Sequence, residues 1–416
     1  MKREMQDVLE NNILPFWLQR MTDHEHGGYY GRMDGHYHLH VDAEKGAILN
    51  ARILWAFSAA YRVLSKQEYG GADEHVAAYK QAATRAKQYM VDHFIDHDHG
   101  GVFWSLDCQG HPLDTKKQFY AIGFAIYGLS EYARATGDAE ALGYALQLFD
   151  CIEQHAFDHE HNGYIEACTR EWGEIADMRL SELDANYPKS QNTHLHIIEP
   201  YTNLLRCLRE LADSAVPVGM ADAETVATVS TAVRNLIGIF TDRILNPETH
   251  HLDLFFAMDW QRQAGRLESY GHDIECSWLL HEAALVLGDA SVLEKVEPIV
   301  RMVAQASEKG LRPDGSMIHE ANLDTGHMDA DLHWWVQAEN VVGWANLYQH
   351  FGDEAAWQRA VNGWSYIKAN LIDYEHGEWW WSRRSDGTLN LDDDHAGFWK
   401  CPYHNSRMCL ELMERF

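Results

Sequence analysis

Asp96-His97-Asp98-His99-Gly100-Gly101-Val102 is one copy of a phrase that also occurs as Asp23-His24-Glu25-His26-Gly27-Gly28-Tyr29 and Asp158-His159-Glu160-His161-Asn162-Gly163-Tyr164. Weaker copies stand at Asn246-Pro247-Glu248-Thr249-His250-His251-Leu252, Arg312-Pro313-Asp314-Gly315-Ser316-Met317 and Asp373-Tyr374-Glu375-His376-Gly377-Glu378-Trp379. Six copies at an average spacing of roughly 70 residues mark a repeat architecture. Asp or Asn with Gly is turn chemistry, and each copy leads into a short apolar run, often with a second turn such as Asp386-Gly387, so each reads as a small β-hairpin. Between hairpins the apolar residues recur every three to four positions, which predicts helices. The predicted helices are Met5–Met21, Ala47–Leu64, Val76–Ile95, Gln118–Arg134, Ala139–Phe157, Asn192–Leu211, Val226–Leu245, His272–Leu287, Val292–Glu308, Trp334–Phe351, Glu354–Ile372 and Tyr403–Phe416. Two helices per repeat, with first and last packed together, predict an all-α (α/α)6 barrel of twelve helices with short hairpins in its connections, built as a single domain over residues 1–416. The helix after each hairpin belongs to the inner ring. Ile48 to Phe57 is apolar nearly all round, as a helix between two layers must be. The outer candidate Ala77–Met90 carries Lys80, Gln81, Arg85, Lys87 and Gln88 on an expected wet face.

Composition narrows the function. The formal charge of −29 repels phosphates and anionic lipid, which argues against nucleic-acid or membrane partners. No apolar run reaches the length of a membrane span, and the first residues lack the apolar core of a signal peptide. Seven scattered cysteines without a C-x-x-C imply neither a disulfide framework nor a zinc ribbon, so the expected compartment is the cytoplasm. The 26 histidines and 15 tryptophans in so acidic a chain suggest a neutral polar ligand with apolar faces, of which a sugar is the obvious case. The sequence is silent on oligomeric state, and a monomer is the working expectation.

Chemistry-capable residues gather at the starts of the predicted inner helices, which in such a ring all open on one mouth. They are Arg52, Tyr120, Asn192 with His196, His272 with Glu275, Trp335 with Glu339, and His404 with Asn405. Helix N-termini bring partial positive charge and free N–H groups to the same place. His272 and Glu275, three apart, share a helical face, and a carboxylate there can hold an imidazole in one tautomer. Pro402 begins the last helix and sets His404 beside Phe398 and Trp399, aromatic company that favours a buried position. Arg52 lies in an apolar stretch and needs either a carboxylate or a polar cavity. Trp335 and Trp399 are the indoles placed to lie against a pyranose ring. His36, His38 and His40 alternate as zinc ligands on a strand could, but such a run on an exposed hairpin is more often solvated. With no H-E-x-x-H, P-loop or G-x-G-x-x-G, neither a metal nor a nucleotide cofactor is expected.

Taken together, Ile48-Leu49-Asn50-Ala51-Arg52-Ile53-Leu54-Trp55, Asn192-Thr193-His194-Leu195-His196, Gly271-His272-Asp273-Ile274-Glu275, Trp334-Trp335-Val336-Gln337-Ala338-Glu339 and Lys400-Cys401-Pro402-Tyr403-His404-Asn405 resemble the cellobiose 2-epimerases of the N-acylglucosamine 2-epimerase superfamily. The likeness runs from Glu10 to about Leu412, in register with all six repeats. Asp273 resembles the cellobiose/mannobiose branch, while Cys276 stands where that branch suggests alanine. The resemblance implies an (α/α)6 barrel that epimerises C2 of the reducing-end sugar of β-1,4-linked disaccharides without metal or nucleotide. It further implies His272 and His404 as the acid/base pair, supported by His196, Arg52, Asn192, Glu275 and Tyr120, with Trp335 and Trp399 holding the sugar. Asp184, in the loop Leu180 to Lys189, is implied as a further substrate contact.

Inverting a carbon next to a latent aldehyde requires ring opening, removal of the C2 proton and return of a proton to the opposite face. Two imidazoles with pKa near the ordinary ~6.5 suit that exchange, with Arg52 stabilising the enediolate and Glu275 fixing the His272 tautomer. The competing expectation is a glycoside hydrolase on the same ring, which would need two carboxylates at the mouth. Asp184, Glu275 and Glu339 are its candidates.

Overall fold

The computed structural model describes residues 1–70, 73–213, 219–263 and 265–416. Among them, each repeat phrase folds for a local reason. The Asp96 carboxylate accepts the backbone N–H groups of Asp98 and His99, and Asp23, Asp158, Asn246 and Asp373 do the same in their own copies. These turns close six antiparallel bridges, Thr22 to Tyr29, Ile95 to Val102, Phe157 to Tyr164, Leu245 to Leu252, Leu311 to Met317 and Ile372 to Trp379. Gly101, at φ +70°, is required in its copy, because a Cβ there would stand 2.8 Å from the Trp172 ring.

Twelve helical rods connect the hairpins among the described residues. The outer rods are α1 (Lys2–Val8, a π-helical turn Leu9–Ile13 and Leu14–Arg20), α3 (Asp73–Tyr89 with the π turn Met90–Phe94), α5 (Ala139–His155), α7 (Ala223–Ile239 with Phe240–Ile244), α9 (Ala290–Ser307) and α11 (Glu354–Asn370). The inner rods are α2 (Ala47–Leu64), α4 (Phe119–Thr136), α6 (Gln191–Ala212), α8 (Tyr270–Leu287), α10 (Trp334–Phe351) and α12 (His404–Arg415). Each inner rod packs on its two inner neighbours, α12 returning to α2, and on one outer rod, so the molecule is an (α/α)6 barrel. Between two layers an inner rod has no wet side, and every residue of α2 from Ala47 to Ala60 is buried. Outer rods keep one exposed face, although Lys87, expected on it, is buried and ion-paired with Glu140 of the next outer rod.

The strand entering each inner rod pairs with the hairpin of the following repeat. Lys45–Gly46 pairs with Ser105–Leu106, Lys117–Gln118 with Ala167–Cys168, and Lys189–Ser190 with Phe255–Phe256. Leu267–Ser269 pairs with Glu320–Asn322, and Leu332–His333 with Ser382–Arg383. The sixth link, Met33 to Ala396, joins the last repeat to the first. Trp17 Nε1 donating to Glu378 (2.7 Å) and Asn12 Nδ2 donating to the Asp373 carbonyl (2.8 Å) sew the same seam. All inner N-termini therefore face one mouth. At the opposite end of the axis, Arg62, Arg134, Arg206 and Arg415 line a cavity of about 400 Å³, and each is bonded to a glutamate. No helix among the described residues is long and apolar enough to cross a membrane.

Candidate active site

Ten of the twelve residues singled out from the sequence line one cavity of about 300 Å³ at the mouth: Arg52, Tyr120, Asp184, Asn192, His196, His272, Glu275, Trp335, Trp399 and His404. Asn405, expected there, is instead buried behind it and donates to Glu378 Oε1 at 2.6 Å. A neighbouring cavity of about 480 Å³ shares Asp184, Asn192 and His272 with it. His272 and His404 belong to the same chamber, and Trp335 touches both, its ring centroid 4.9 Å from His272 and 5.7 Å from His404. Gly271 permits this packing, since a Cβ there would stand 2.6 Å from the Trp335 ring.

Each imidazole is held by a different partner. His404, the first residue of α12, has Nδ1 2.7 Å from Glu339 Oε1, so Nδ1 carries the hydrogen. His196 Nδ1 lies 3.0 Å from Glu199 Oε2, one turn along α6. His272 Nδ1 lies 2.8 Å from the Ser269 hydroxyl. The expectation that Glu275 orients His272 is therefore corrected. Glu275 Oε1 instead accepts Arg407 Nη2 at 2.7 Å, a charge-assisted bond that outcompetes one to a neutral ring. Glu339 is corrected too: it does not face the cavity but stands fully buried behind His404, taking Arg407 Nη2 (2.6 Å) and Trp278 Nε1 (2.9 Å).

Arg407, with no exposure at all, is the hub of this network. Its guanidinium bonds to Glu275, Glu339 and Glu199, and Glu199 also accepts the Tyr403 hydroxyl. Sequence reasoning missed Arg407 and Glu199, yet each lies three residues beyond a histidine already chosen, the same spacing that selected Glu275. Arg52 has no carboxylate partner among the described residues. Its Nη2 donates to Tyr120 at 2.9 Å, and its guanidinium lies over the Phe124 and Tyr403 rings at 4.1 and 4.6 Å. Asn192 Oδ1, Glu275 Oε2 and Arg52 Nε have no protein partner. Asp184 Oδ2 accepts from the Ser181 N–H and hydroxyl and shapes the loop over the chamber. Asp273 lies outside the chamber and ties α8 to the fourth hairpin through His251 (2.6 Å) and the Leu252 N–H (2.9 Å).

The electrostatics differ from the expected pair of ordinary imidazoles. Burial, with the nearby His319, His196 and His404 imidazoles acting in the same direction, pushes His272 down to about 3. Burial also pushes His404 down to about 3, against the opposing pull of Glu339. Burial alone would raise the Glu339 carboxyl, but Arg407 and His404 hold it at about 2. Burial and the Glu339 charge push Glu275 well above the ordinary carboxylate range. Two guanidinium charges, Arg52 and Arg407, thus balance two ionised carboxylates, Glu199 and Glu339. Glu275 Oε1 lies 3.9 Å from His404 Nδ1. The chamber can therefore hold a neutral polyol, accept a proton on either of two imidazoles, and stabilise an oxyanion beside Arg52.

The family model described as N-acylglucosamine 2-epimerase (GlcNAc 2-epimerase) matches residues 28–407. The chain is 57% identical over 413 residues to a cellobiose 2-epimerase of Bacteroides fragilis, covering 99% of this chain and 98% of that one. It is 37% identical, with the same two coverages, to a cellobiose 2-epimerase of Ruminococcus albus. The solved cellobiose 2-epimerase of Bacillus thermoamylovorans B4167 superposes with a TM-score of 0.88 at 39% identity, covering 100% of this chain and 99% of that one.

Proposed function

We propose a specific reaction from the premise that the chain belongs to the N-acylglucosamine 2-epimerase family and is an isomerase-class enzyme, a sugar epimerase. The reaction is inversion of C2 in the reducing-end residue of a β-1,4-linked disaccharide, interconverting glucose and mannose units, as in cellobiose, lactose or mannobiose. The observation that carries it is the pair of imidazoles, His272 and His404, on one Trp335-walled chamber.

With the ring of the sugar open, one imidazole removes the C2 proton and the other returns a proton to the opposite face. A two-base inversion needs one ring neutral and one protonated at the start. His404, whose Nδ1 hydrogen is held by Glu339, takes its second proton from solvent at Nε2, and the Glu339 carboxylate stabilises the imidazolium so formed. His272 then takes the C2 proton, its electron pair passes into the enediolate, and Arg52 with Tyr120 steadies the oxygen. His404 protonates C2 from the other side. The imidazolium left at His272 gives its proton to solvent, and the reverse reaction exchanges the roles. Asn192, His196 and Asp184 offer polar contacts to hydroxyls, and Trp335 and Trp399 offer flat apolar faces.

Incubation with cellobiose in D2O tests the reading. Disaccharide of unchanged sugar composition except at C2, carrying deuterium there, is the expected product, whereas free glucose or an epimer without exchange overturns it. Hydrolysis is the weaker alternative because Glu339 is sealed behind His404 and Glu275 is committed to Arg407, which leaves Asp184 as the one candidate carboxylate on the chamber without an arginine or imidazole partner, where a pair is needed.

A pH profile follows from the proton inventory. Because both rings stay neutral well below their usual ~6.5, the acid limb of kcat/KM in the free enzyme lies below pH 6. An acid limb centred near 6.5 contradicts the assignment.

A further inference from the structure

The fifth hairpin carries a cluster that the epimerase chemistry leaves unused. Glu320–Asn322 pairs with His327–Asp329, and the ladder sets His319 beside Asp329, with the His319 N–H bonded to the Asp329 carbonyl at 3.2 Å. His333, four residues on, arrives on the strand that enters α10. Asp329 Oδ2 lies 2.8 Å from His319 Nδ1 and 3.5 Å from His333 Nε2, while Oδ1 is occupied by the Asp331 N–H. The three ligand atoms fall within 4.8 Å of one another. All three side chains are partly open to solvent, at 21%, 32% and 17% exposure, so an ion can reach them.

We infer that His319, Asp329 and His333 form a binding site for a divalent late first-row cation, Zn2+ foremost, at the wall of the sugar chamber. Two imidazoles and one carboxylate are the donor set such ions favour, and ligand atoms around a tetrahedral zinc stand about 3.3 Å apart, close to the 2.8 and 3.5 Å that Asp329 Oδ2 keeps from the two imidazoles. No lysine or arginine pairs with Asp329 among the described residues. The nearby Arg312 donates to the Ala330 carbonyl instead. A second compact group, Glu275, Glu339 and His404, differs in this respect, because the Arg407 guanidinium already bonds to both of its carboxylates. Nor does the exposed His38–Asp34–His40 group, at 3.3 and 3.1 Å, gather its three donors as closely. His319 and His333 line the same chamber as His272 and His404. On the epimerase reading above, an occupied site obstructs the sugar, and metal and substrate exclude one another.

The chelator-treated full-length protein is titrated with Co2+, whose d–d absorption reports coordination without any need for turnover, and Zn2+ is then added as competitor. One Co2+ per chain is expected, displaced by Zn2+. His333→Ala and Asp329→Asn should each weaken binding by roughly 100-fold, and His38→Ala should leave it unchanged. Thermal unfolding of the metal-free variants verifies their fold, and His333→Gln replaces either variant that unfolds. Wild-type affinity in the His333 and Asp329 variants, or no stoichiometric binding, overturns the site. Cellobiose should raise the apparent Zn2+ dissociation constant. Tight binding indifferent to cellobiose overturns the obstruction and leaves the epimerase assignment to its own deuterium test.

Discussion

Replacing His404 by asparagine lowers kcat by roughly 10³-fold, within the range for loss of a general acid/base, and it does so asymmetrically. Asparagine keeps a polar group of similar reach beside Glu339 but cannot carry a proton to carbon. His272, untouched, still serves one face of C2. In D2O the His404→Asn enzyme therefore exchanges the C2 hydrogen of one epimer with solvent faster than it inverts that carbon, and it leaves the other epimer unlabelled. His272→Asn shows the mirror-image pattern, labelling only the epimer that His404→Asn spares. Time-resolved mass and NMR analysis of both C2 epimers reads this directly. Epimerisation within tenfold of wild type in both variants, or exchange into both epimers by either one, removes the two-face mechanism.

Arg407→Met destabilises the fold by about 3–5 kcal/mol, the cost of breaking a buried ion pair from one side. Methionine fills much of the same volume, so the loss is electrostatic. Glu199 and Glu339 lose their buried counter-charge, and Glu275 loses its bond. At about 1 °C per kcal/mol for a chain of 416 residues, the drop in Tm is about 3–6 °C. The two carboxylates also take up protons at higher pH, so the deficit relative to wild type narrows as pH falls toward 5. That narrowing separates charge loss from a packing defect, which would not change with pH. Arg407→Lys restores part of the stability but not the three-way bonding, because an ammonium lacks the planar fork. A Tm within 2 °C of wild type for Arg407→Met contradicts the hub role.

The ring itself is written openly in the chain, because a phrase repeated six times leaves little freedom of topology. Ala47–Leu64 and Trp334–Phe351 begin and end where apolar spacing places them. The gathering of Arg52, Tyr120, His196, His272 and His404 follows from the same regularity, since every inner helix starts at the mouth. Less legible is who holds whom. Glu339 and His404 meet across 65 residues, Arg407 and Glu199 across 208, and no local spacing encodes such a meeting. Local spacing even misled once: the i,i+3 relation of His272 and Glu275 is real, but Arg407, on another helix, claims the carboxylate. The imidazole pKa values near 3 likewise arise from burial by the whole ring, which no single segment reveals.

The seam between Met33 and Ala396, sewn by Trp17 and Asn12, makes the first and last repeats ordinary neighbours. A linear chain joined this way behaves as a loop whose peptide break falls at an arbitrary point on its circumference. The bonds that complete the circle there are non-covalent: the Met33–Ala396 bridge and the hydrogen bonds of Trp17 and Asn12. His404, on the final inner helix, is consequently positioned by the opening residues of the polypeptide no less than by those just before it, and the two extremities of the chain are coupled parts of one catalytic rim.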